Sequence, residues 1–453
     1  MLYLEGILAS SFFFNRDVAS RNTPKSLFTT IARDIANKYP ALAADISMAL
    51  ENELALASAP LSRQFDALIA EPLRRHSFDG PIVVVIDALN ESTCAGADTD
   101  LLDILSTEAA KLPQQFRIFI TSRPTRNIED FLSKQNHVKE HQIDIDSAEN
   151  RQDIAAYVDA QLLSQELRFK IGSARLDEAL IRDLKSRSEG LFIWIATVFS
   201  YLSSAYNPGA KLSALLSATI SQPFPDAYKK MDSLYTAILD TCGAWDDPDF
   251  CDDYQLVMGA IMAAKRPISL AALRALYGDI QDVASLQRLL RRFGSVLLGF
   301  HDEHEPIRIL HISFREFITD RAATAPQTEK FYISEKKHSQ KLAVLCLKTV
   351  AHEFAVTPIS GAGYLSVDDE SAPGIPKLTG VSEHLLYGCE SLNDHIADVV
   401  NPDIIATHIQ YFLSQDRLRW VEIVVSQGVF RGTLPIRRWL FVSVQSTIEH
   451  MRY

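Results

Sequence analysis

Three features that would place the chain in a broad class at once are missing from its sequence. The five cysteines include no CxxC pair, which favours reduced thiols over disulfide bonds or a zinc site. Lys and Arg number 45 against 57 Asp and Glu, so the net charge of -12 leaves no basic excess for nucleic-acid phosphates. The apolar run from Leu191 to Leu202 is well short of the ~20 residues of a membrane span. We therefore predict a cytoplasmic protein that binds neither nucleic acid nor membrane.

The N-terminal stretch is also apolar, but it lacks the features of a secretory signal. It carries Glu5, has no basic segment before the apolar run and offers no convincing cleavage site. The overall composition, 47% hydrophobic and 23% charged, is that of an ordinary globular protein. At 453 residues the chain is long enough for roughly three domains.

The stretch Pro81 to Ser92, PIVVVIDALNES, is the clearest structural signal in the sequence. Its continuous run of Val and Ile predicts a strand buried on both faces, of the kind found inside parallel sheets. Asp87 ends the run, and the polar pair Asn90 and Glu91 follows shortly after. Open α/β sheets bind ligands at the carboxyl ends of their strands, so we expect the chemistry to lie at Asp87.

Two further strands are predicted, at Ile7 to Phe14 and at Phe116 to Ile120. Helical patterns separate the three runs, which predicts right-handed crossovers and a parallel sheet. Asp87 and the segment Thr121 to Arg123 then emerge at one edge of that sheet. A carboxylate and an arginine there suit a metal-bound phosphate ester, with the carboxylate on Mg²⁺ and the arginine on the terminal phosphate. A partly buried Asp-Arg pair that only caps the sheet is equally compatible with this spacing.

Beyond this sheet the sequence becomes helical. His141 to Ile145 is a candidate for one more strand. Further along, three helices are closed by two strand-like runs, Ser295 to Phe300 and Ile307 to Ile312, which is the winged-helix pattern. The hairpin tip, HDEHEP, is acidic, so packing against protein is favoured there over DNA binding.

Four motifs resemble, in order, those of one family: IVVVIDALNE, FRIFITSRP, SEGLFIWIATVFSYL and IRILHISFREFI. They are similar to the NACHT branch of the STAND signalling P-loop NTPases. Within it, the likeness is to the fungal group with a nephrocystin-3-like N-terminal NTPase domain, and it covers about Ile7 to Ala322. Intact relatives use Mg-ATP or ADP, switch between ADP-closed and ATP-open states and oligomerise for signalling. The resemblance therefore implies protein partners or self-association.

The resemblance implies a role for each polar residue at the sheet edge. Asp87 would be the Walker B carboxylate that holds Mg²⁺ through water, and Glu91 would position the attacking water. Arg123 would be the sensor at the γ-phosphate, with Thr121 and Ser122 beside it at the nucleotide.

Three histidines outside the sheet also require an interpretation. By the same resemblance His311, in LHISF, would contact the β-phosphate of ADP, and its alternative is a core histidine at a strand end. His301 and His304 form an H-x-x-H pair, but no further ligands lie at suitable spacing, so solvent exposure is favoured over a metal site.

The departures from the family concern the phosphate-binding half of the site. The loop G-x-x-x-x-G-K-[ST] is absent, with no GK[ST] before Ile7, where the family places it. Without this loop the sequence lacks the backbone amides that bind the phosphates, the lysine for the β/γ-phosphates and the hydroxyl that binds Mg²⁺. Asn90 stands where the family commonly has Asp, and Gly190 to Phe192 occupies the place of the adenine-side proline. The chain is thus expected to begin just after the helix that follows the loop, and to bind no cofactor by itself.

In the family's sheet the absent strand lies between the strand ending at Thr121 and the one near Ile143. Either that last strand closes up against Phe116 to Ile120, or the sheet stays open with unpaired backbone groups.

The predicted fold class is α/β followed by all-α. The predicted domains are a partial NACHT core without Walker A (1–148), a helical domain (149–240), a winged-helix domain (241–325) and a helical region resembling the segment before repeats (326–453). The predicted function is a partial or degenerate NACHT-type NTPase that acts as a signalling scaffold. A nucleotide-independent helical interaction module is the alternative, and a Mg-dependent hydrolase using Asp87 and Glu91 is a third hypothesis.

Overall fold

The computed structural model describes residues 7–15, 21–92, 97–123, 125–164, 178–203, 205–218, 227–278, 283–357, 359, 378–426 and 436. The chain divides into two compact units, Met1–Ile143 and Asp144–Tyr453, and each is described by itself. The first unit combines a parallel sheet with helices, and the second is built mainly of helices. This confirms the predicted order of an α/β part and a helical part.

All three predicted strands are present in the first unit. They are β1 (Leu8–Phe13), β2 (Ile82–Asp87) and β3 (Phe116–Ile120). The helices are α1 (Leu27–Lys38), α2 (Pro40–Asn52), α3 (Leu61–Phe65), α4 (Glu71–Arg75), α5 (Ala97–Asp103) and α6 (Arg126–Leu132). A π-helical turn, Asp66–Ala70, joins α3 to α4, and another, Ile104–Glu108, extends α5.

The sheet is parallel throughout, in the order β1-β2-β3. One face of β2, formed by Ile82, Val84 and Ile86, is only 1% exposed at each residue and belongs to the core of the unit. The helices α1 to α6, the two π-helical turns and the other two strands supply most of the rest of that core, with Leu27 and Ala70 completely buried. β2 is thus the central strand, but the predicted burial on both faces holds for one face only, because Val83 and Val85 on the opposite face are half-buried.

The prediction of a strand at His141 to Ile145 was wrong. These residues have no regular structure, and their two apolar side chains, Ile143 and Ile145, are 78% and 42% exposed. The alternation of apolar and polar residues suits a strand, but among the described residues no strand pairs with this segment. Of the two alternatives for the sheet, the open one is observed: among the described residues β3 pairs only with β2.

Most of the second unit consists of helices in two groups. The first group is α7 (Ala148–Leu162), α8 (Glu178–Arg187), α9 (Phe192–Ser203), α10 (Pro208–Ala218), α11 (Ala227–Cys242), α12 (Pro248–Ala263), α13 (Leu270–Tyr277), α14 (Val283–Arg292) and α15 (Ile312–Thr319). The second group is α16 (Glu335–Val356), α17 (Glu383–Ala397), α18 (Ala406–Tyr411) and α19 (Arg417–Ser426).

Three short strands form a small antiparallel sheet among these helices. They are β4 (Ile268–Ser269), β5 (Leu297–Leu298) and β6 (Pro306–Ile309), in the order β4-β6-β5. The element order from α12 to β6 is therefore helix, strand, helix, helix, strand, strand. His301 and His304 lie in the hairpin between β5 and β6 and are exposed, as predicted.

The helices on either side of residue 325 share one core. Ile268 and Leu276 pack in the same cluster as Leu347 and Trp420 of the last helices. Polar contacts reinforce this packing at the loop between α12 and β4. There Lys265 Nζ lies 2.8 Å from Asp398 Oδ2, and Arg266 Nε lies 2.9 Å from Glu390 Oε2.

Two predictions from the composition concern membrane-spanning helices and the state of the cysteines. None of the helices described is long and apolar enough to cross a bilayer. The described cysteines, Cys242, Cys251, Cys346 and Cys389, are free thiols, and burial raises the pKa of Cys242 and Cys346 to about 12. Cys94 lies outside the described residues.

Candidate functional site

Asp87 and Thr121 meet at the carboxyl edge of the parallel sheet. Asp87 is the last residue of β2, and Thr121 follows β3 directly. The Thr121 hydroxyl donates to Asp87 Oδ1 at 2.5 Å and accepts the backbone N–H of Ala88 at 2.9 Å. The Thr121 backbone completes the junction, because its N–H donates to Ile86 and its carbonyl accepts from Leu89, both at 3.0 Å. The predicted convergence of the two strand ends is therefore observed.

The turn after β2 depends on a left-handed residue and on Asn90. Ala88 has φ 55° and ψ 46°, a conformation that is strained for any residue with a Cβ. A short 3-10 turn, Leu89–Glu91, follows, and Asn90 Oδ1 accepts the backbone N–H of Arg123 at 3.0 Å. Asn90 thus joins the two strand-end loops through a neutral acceptor, at the position where an aspartate was expected from the family.

The remaining predicted residues of this edge lie in the same two loops. Glu91 is half-buried at the end of the 3-10 turn, and Arg123 is half-buried two residues after Thr121. Ser122 is exposed, and its hydroxyl donates to the carbonyl of Arg123 at 2.9 Å. The fold brings these residues together at one edge, while their nucleotide roles stay predictions.

The edge supplies few ligands for a magnesium-nucleotide complex. Mg²⁺ takes six oxygen ligands, usually one or two carboxylates with phosphate oxygens and waters. One oxygen of Asp87 is already bonded to Thr121, and the described residues contain no group of three His, Cys, Asp or Glu side chains that could hold a metal. The sequence offers no G-x-x-x-x-G-K-[ST] loop for the phosphates. The described residues of this edge therefore supply only part of the ligands that Mg-ATP needs.

His311 has a structural role in the second unit. It precedes α15 and caps it, because its Nδ1 accepts the backbone N–H of Ser313 at 3.1 Å. The same nitrogen lies 2.7 Å from the Ser313 hydroxyl, which lies 2.8 Å from the hydroxyl of Tyr235. Burial raises the pKa of Tyr235 to about 12, so this phenol remains neutral. His311 is thus a half-buried helix cap and not a core residue, and its contact with a nucleotide stays a prediction.

A Ser-His-Asp cluster in the last helices has the composition of a hydrolase triad but not its arrangement. The Ser339 hydroxyl lies 2.8 Å from His395 Nδ1 and 2.6 Å from Asp398 Oδ2. The aspartate therefore contacts the serine, whereas a triad needs it on the far nitrogen of the histidine. That nitrogen, Nε2, lies 2.8 Å from the Tyr387 hydroxyl instead. Since Ser339 and His395 are 0% exposed, the cluster is a buried structural network.

Two polar contacts of the second unit were not predicted from the sequence. Lys230 is only 5% exposed, and its Nζ lies 2.6 Å from Glu189 Oε2, 41 positions away in the sequence. Burial lowers the pKa of Lys230. Asn150 donates to the carbonyls of Ile145 and Gly190 at 2.6 and 2.8 Å. The glycine in SEGLF was the available signal, since its φ of 79° and the Ile145 carbonyl leave no room for a Cβ.

The first unit is thus a parallel α/β unit with polar side chains at the carboxyl edge of its sheet. The family model described as Nephrocystin 3, N-terminal, matches residues 3–123, which include β1, β2, β3 and the whole of that edge. The match confirms the resemblance of this segment to a nephrocystin-3-like N-terminal domain. For the residues after 123 the resemblance stays a prediction. No curated protein is significantly similar to the chain.

Proposed function

We propose that the chain is a signalling scaffold derived from a NACHT-type P-loop NTPase. It acts through protein contacts and neither binds nor hydrolyses ATP by itself. The observation that carries the proposal is the bond between Thr121 and Asp87, because it engages a carboxylate that would otherwise face Mg²⁺.

The second unit supports the scaffold role through its architecture. The helix and strand order from α12 to β6, with the sheet order β4-β6-β5, supports the interpretation of this segment as a winged helix. Its hairpin tip carries Asp302, Glu303 and Glu305, so contact with nucleic-acid phosphates is unfavourable there. We propose a winged-helix domain over 241–325 that packs against protein, between a helical domain (149–240) and a C-terminal helical region (326–453).

The polar edge of the sheet takes a structural role in this proposal. The roles of Asp87, Glu91 and Arg123 at Mg-ATP are those that the resemblance implies. In this chain Asp87 holds the end of β3 through Thr121, and Asn90 holds the loop that carries Arg123. The alternative, a helical interaction module that never responds to nucleotide, shares the prediction that ATP has no effect.

Thermal unfolding with Mg-ATP and with Mg-ADP tests the absence of nucleotide control. A ligand at 100 times its Kd should add ~2.7 kcal/mol to the free energy of unfolding. We expect no change in Tm at millimolar nucleotide. A rise in Tm that disappears in Asp87→Asn but persists in Asp79→Asn, which removes an exposed carboxylate before β2, would overturn the proposal, because it would show a functional nucleotide site at this edge.

A further inference from the structure

Helix α16 presents one narrow side to solvent. Its buried residues face the neighbouring helices, and Lys337, Lys341 and Lys348 lie on the opposite side, where all three are exposed. Spacings of four and seven residues return to nearly the same side of an α-helix, so the three lysines fall along one line of about 16 Å. The half-buried Val344 and Leu345 lie on the same side, between Lys341 and Lys348. We call this surface, made by Lys337, Lys341, Val344, Leu345 and Lys348, the lysine stripe.

The lysine stripe has no carboxylate of its own to neutralise it. Both acidic residues of α16 are engaged elsewhere: Glu335 Oε1 lies 2.8 Å from Arg315 Nη2, and Glu353 accepts the Thr357 hydroxyl at 2.8 Å. In the sequence, no Asp or Glu stands three or four positions from any of the three lysines, so ion pairs along the helix face are excluded as well. Among the residues that the structure describes, none forms an ion pair with these lysines.

The positive charges of the lysine stripe are unfavourable for the fold that carries them. Lys337 and Lys341 are four residues apart, a spacing at which like charges destabilise an α-helix. Burial lowers the pKa of His338 to about 4, and the charges of Lys341 and Lys337 act in the same direction. Elsewhere in the second unit such charges are neutralised, as at Lys185 and Lys330, whose Nζ atoms each lie 2.6 Å from an aspartate oxygen. An acidic ligand would remove the repulsion within the stripe.

One lysine of the stripe is held in position by a neighbouring helix. Lys341 Nζ lies 5.0 Å from the ring centroid of Tyr277, the last residue of α13. This cation–π contact favours one position of the ammonium group over the many that a free lysine side chain adopts. It reduces the conformational entropy that the side chain loses when an anion binds. The lysine stripe is therefore partly preorganised for a ligand with carboxylates.

We propose that the lysine stripe binds an acidic helical segment of a partner protein. A helix laid along α16 with carboxylates at spacings of four and seven residues matches the three lysines, and its apolar side chains between them contact Val344 and Leu345. Nucleic acid fits less well, because the net charge of -12 repels a long polyanion and a phosphate backbone offers nothing apolar to the two half-buried side chains. The inference rests on the proposed scaffold role and names the chemistry of its partner.

Fluorescence anisotropy of a labelled helical peptide with the full chain tests this contact. The peptide carries glutamates at spacings of four and seven residues, with leucines between the second and the third. We expect binding that weakens with salt, and a Kd at least tenfold higher when the three lysines of the stripe are replaced by glutamate. The matched control replaces three exposed lysines of the first unit by glutamate, for the same change in net charge: Lys25, Lys134 and Lys139. A peptide that does not bind, or that the two triple variants weaken equally, would overturn the proposal.

Three further ligands test the charge pairing and the class of partner. A peptide with lysines in place of its glutamates should bind the triple variant of the stripe but not the wild type, which would also show that the variant is folded. If this peptide binds neither protein, the proposed charge pairing is wrong. A short double-stranded DNA and vesicles with anionic lipid should bind the wild type more weakly than the glutamate peptide. Tighter binding of either one, lost in the triple variant, would overturn the choice of an acidic protein segment. Failure of all these ligands leaves the test with Mg-ATP unaffected, since that test concerns the sheet edge of the first unit.

Discussion

Thr121 and Asp87 are 34 positions apart in the sequence, and a single hydroxyl joins the ends of their two strands. Thr121 Oγ1 donates to the carboxylate of Asp87 and accepts the N–H of Ala88, the residue in the left-handed conformation. The Thr121 hydroxyl thus acts both as a donor and as an acceptor at this turn. The pair fixes the turn after β2 as well as the distance between β2 and β3.

Thr121→Val should destabilise the protein without changing the shape of the side chain. The substitution leaves the half-buried carboxylate and the Ala88 N–H without their partner, which costs about 1–3 kcal/mol. Urea denaturation measures the loss in the free energy of unfolding. Ser122→Ala is the control, because that hydroxyl is exposed and its removal should cost less than about 0.5 kcal/mol. Equal losses in the two variants would contradict a structural role for Thr121.

The sequence predicted the strands of the first unit because their runs of Val, Ile and Phe match a buried parallel sheet. It also placed Asp87 and Thr121 at one edge, since parallel strands end on the same side. The bond between them follows from a strand register that no local pattern encodes. From the sequence, Asn90 was only a departure from the aspartate that the family commonly has there. The fold shows that its side chain accepts a hydrogen bond from the Arg123 backbone. The strand predicted at His141 to Ile145 was wrong because a short apolar alternation says nothing about whether a partner strand is within reach.

His395 should make the second unit sensitive to acid. Burial lowers its pKa to about 3, and the charge of Lys265 acts in the same direction. The unfolded chain has a pKa near 6.5 at this histidine, so between these values the unfolded state binds the extra proton. The stabilisation is complete above about pH 6.5 and is lost as the pH falls. From about pH 7.5 to about pH 5 the loss is about 2 kcal/mol.

Urea denaturation at the two pH values measures this contribution. His395→Gln keeps a neutral polar side chain and should remove about 2 kcal/mol of the pH dependence. His304→Gln should retain the dependence of the wild type, since His304 is exposed in the hairpin tip. If both variants depend on pH as the wild type does, His395 does not govern the acid sensitivity.

Replacing each of two helical glycines by alanine should change the free energy of unfolding in opposite directions. At Gly259, in α12, an added Cβ would lie 2.2 Å from Cε1 of His338, and this overpacking should cost about 1–3 kcal/mol. At Gly388, in α17, the nearest atom lies 3.6 Å away, an ordinary contact. There alanine should stabilise by up to about 1 kcal/mol through helix propensity. Thermal unfolding of the two variants provides the test, and a gain at Gly259 would contradict the close contact with His338.

The ion pair between Lys230 and Glu189 should respond unequally to loss of its two members. Lys230 is 5% exposed, whereas the Glu189 side chain is 38% exposed, so the cost of an unpaired charge falls mainly on the lysine. Glu189→Gln leaves the buried ammonium without its counter-charge and should cost about 1–2 kcal/mol, a range reduced for the solvent near Glu189. Lys230→Met removes the buried charge but keeps an apolar stem near Trp194, where Nζ lies 5.6 Å from the ring centroid. It should therefore cost less than about 1 kcal/mol. Urea denaturation ranks the two variants, and a larger loss in Lys230→Met would show that the pair contributes net stability.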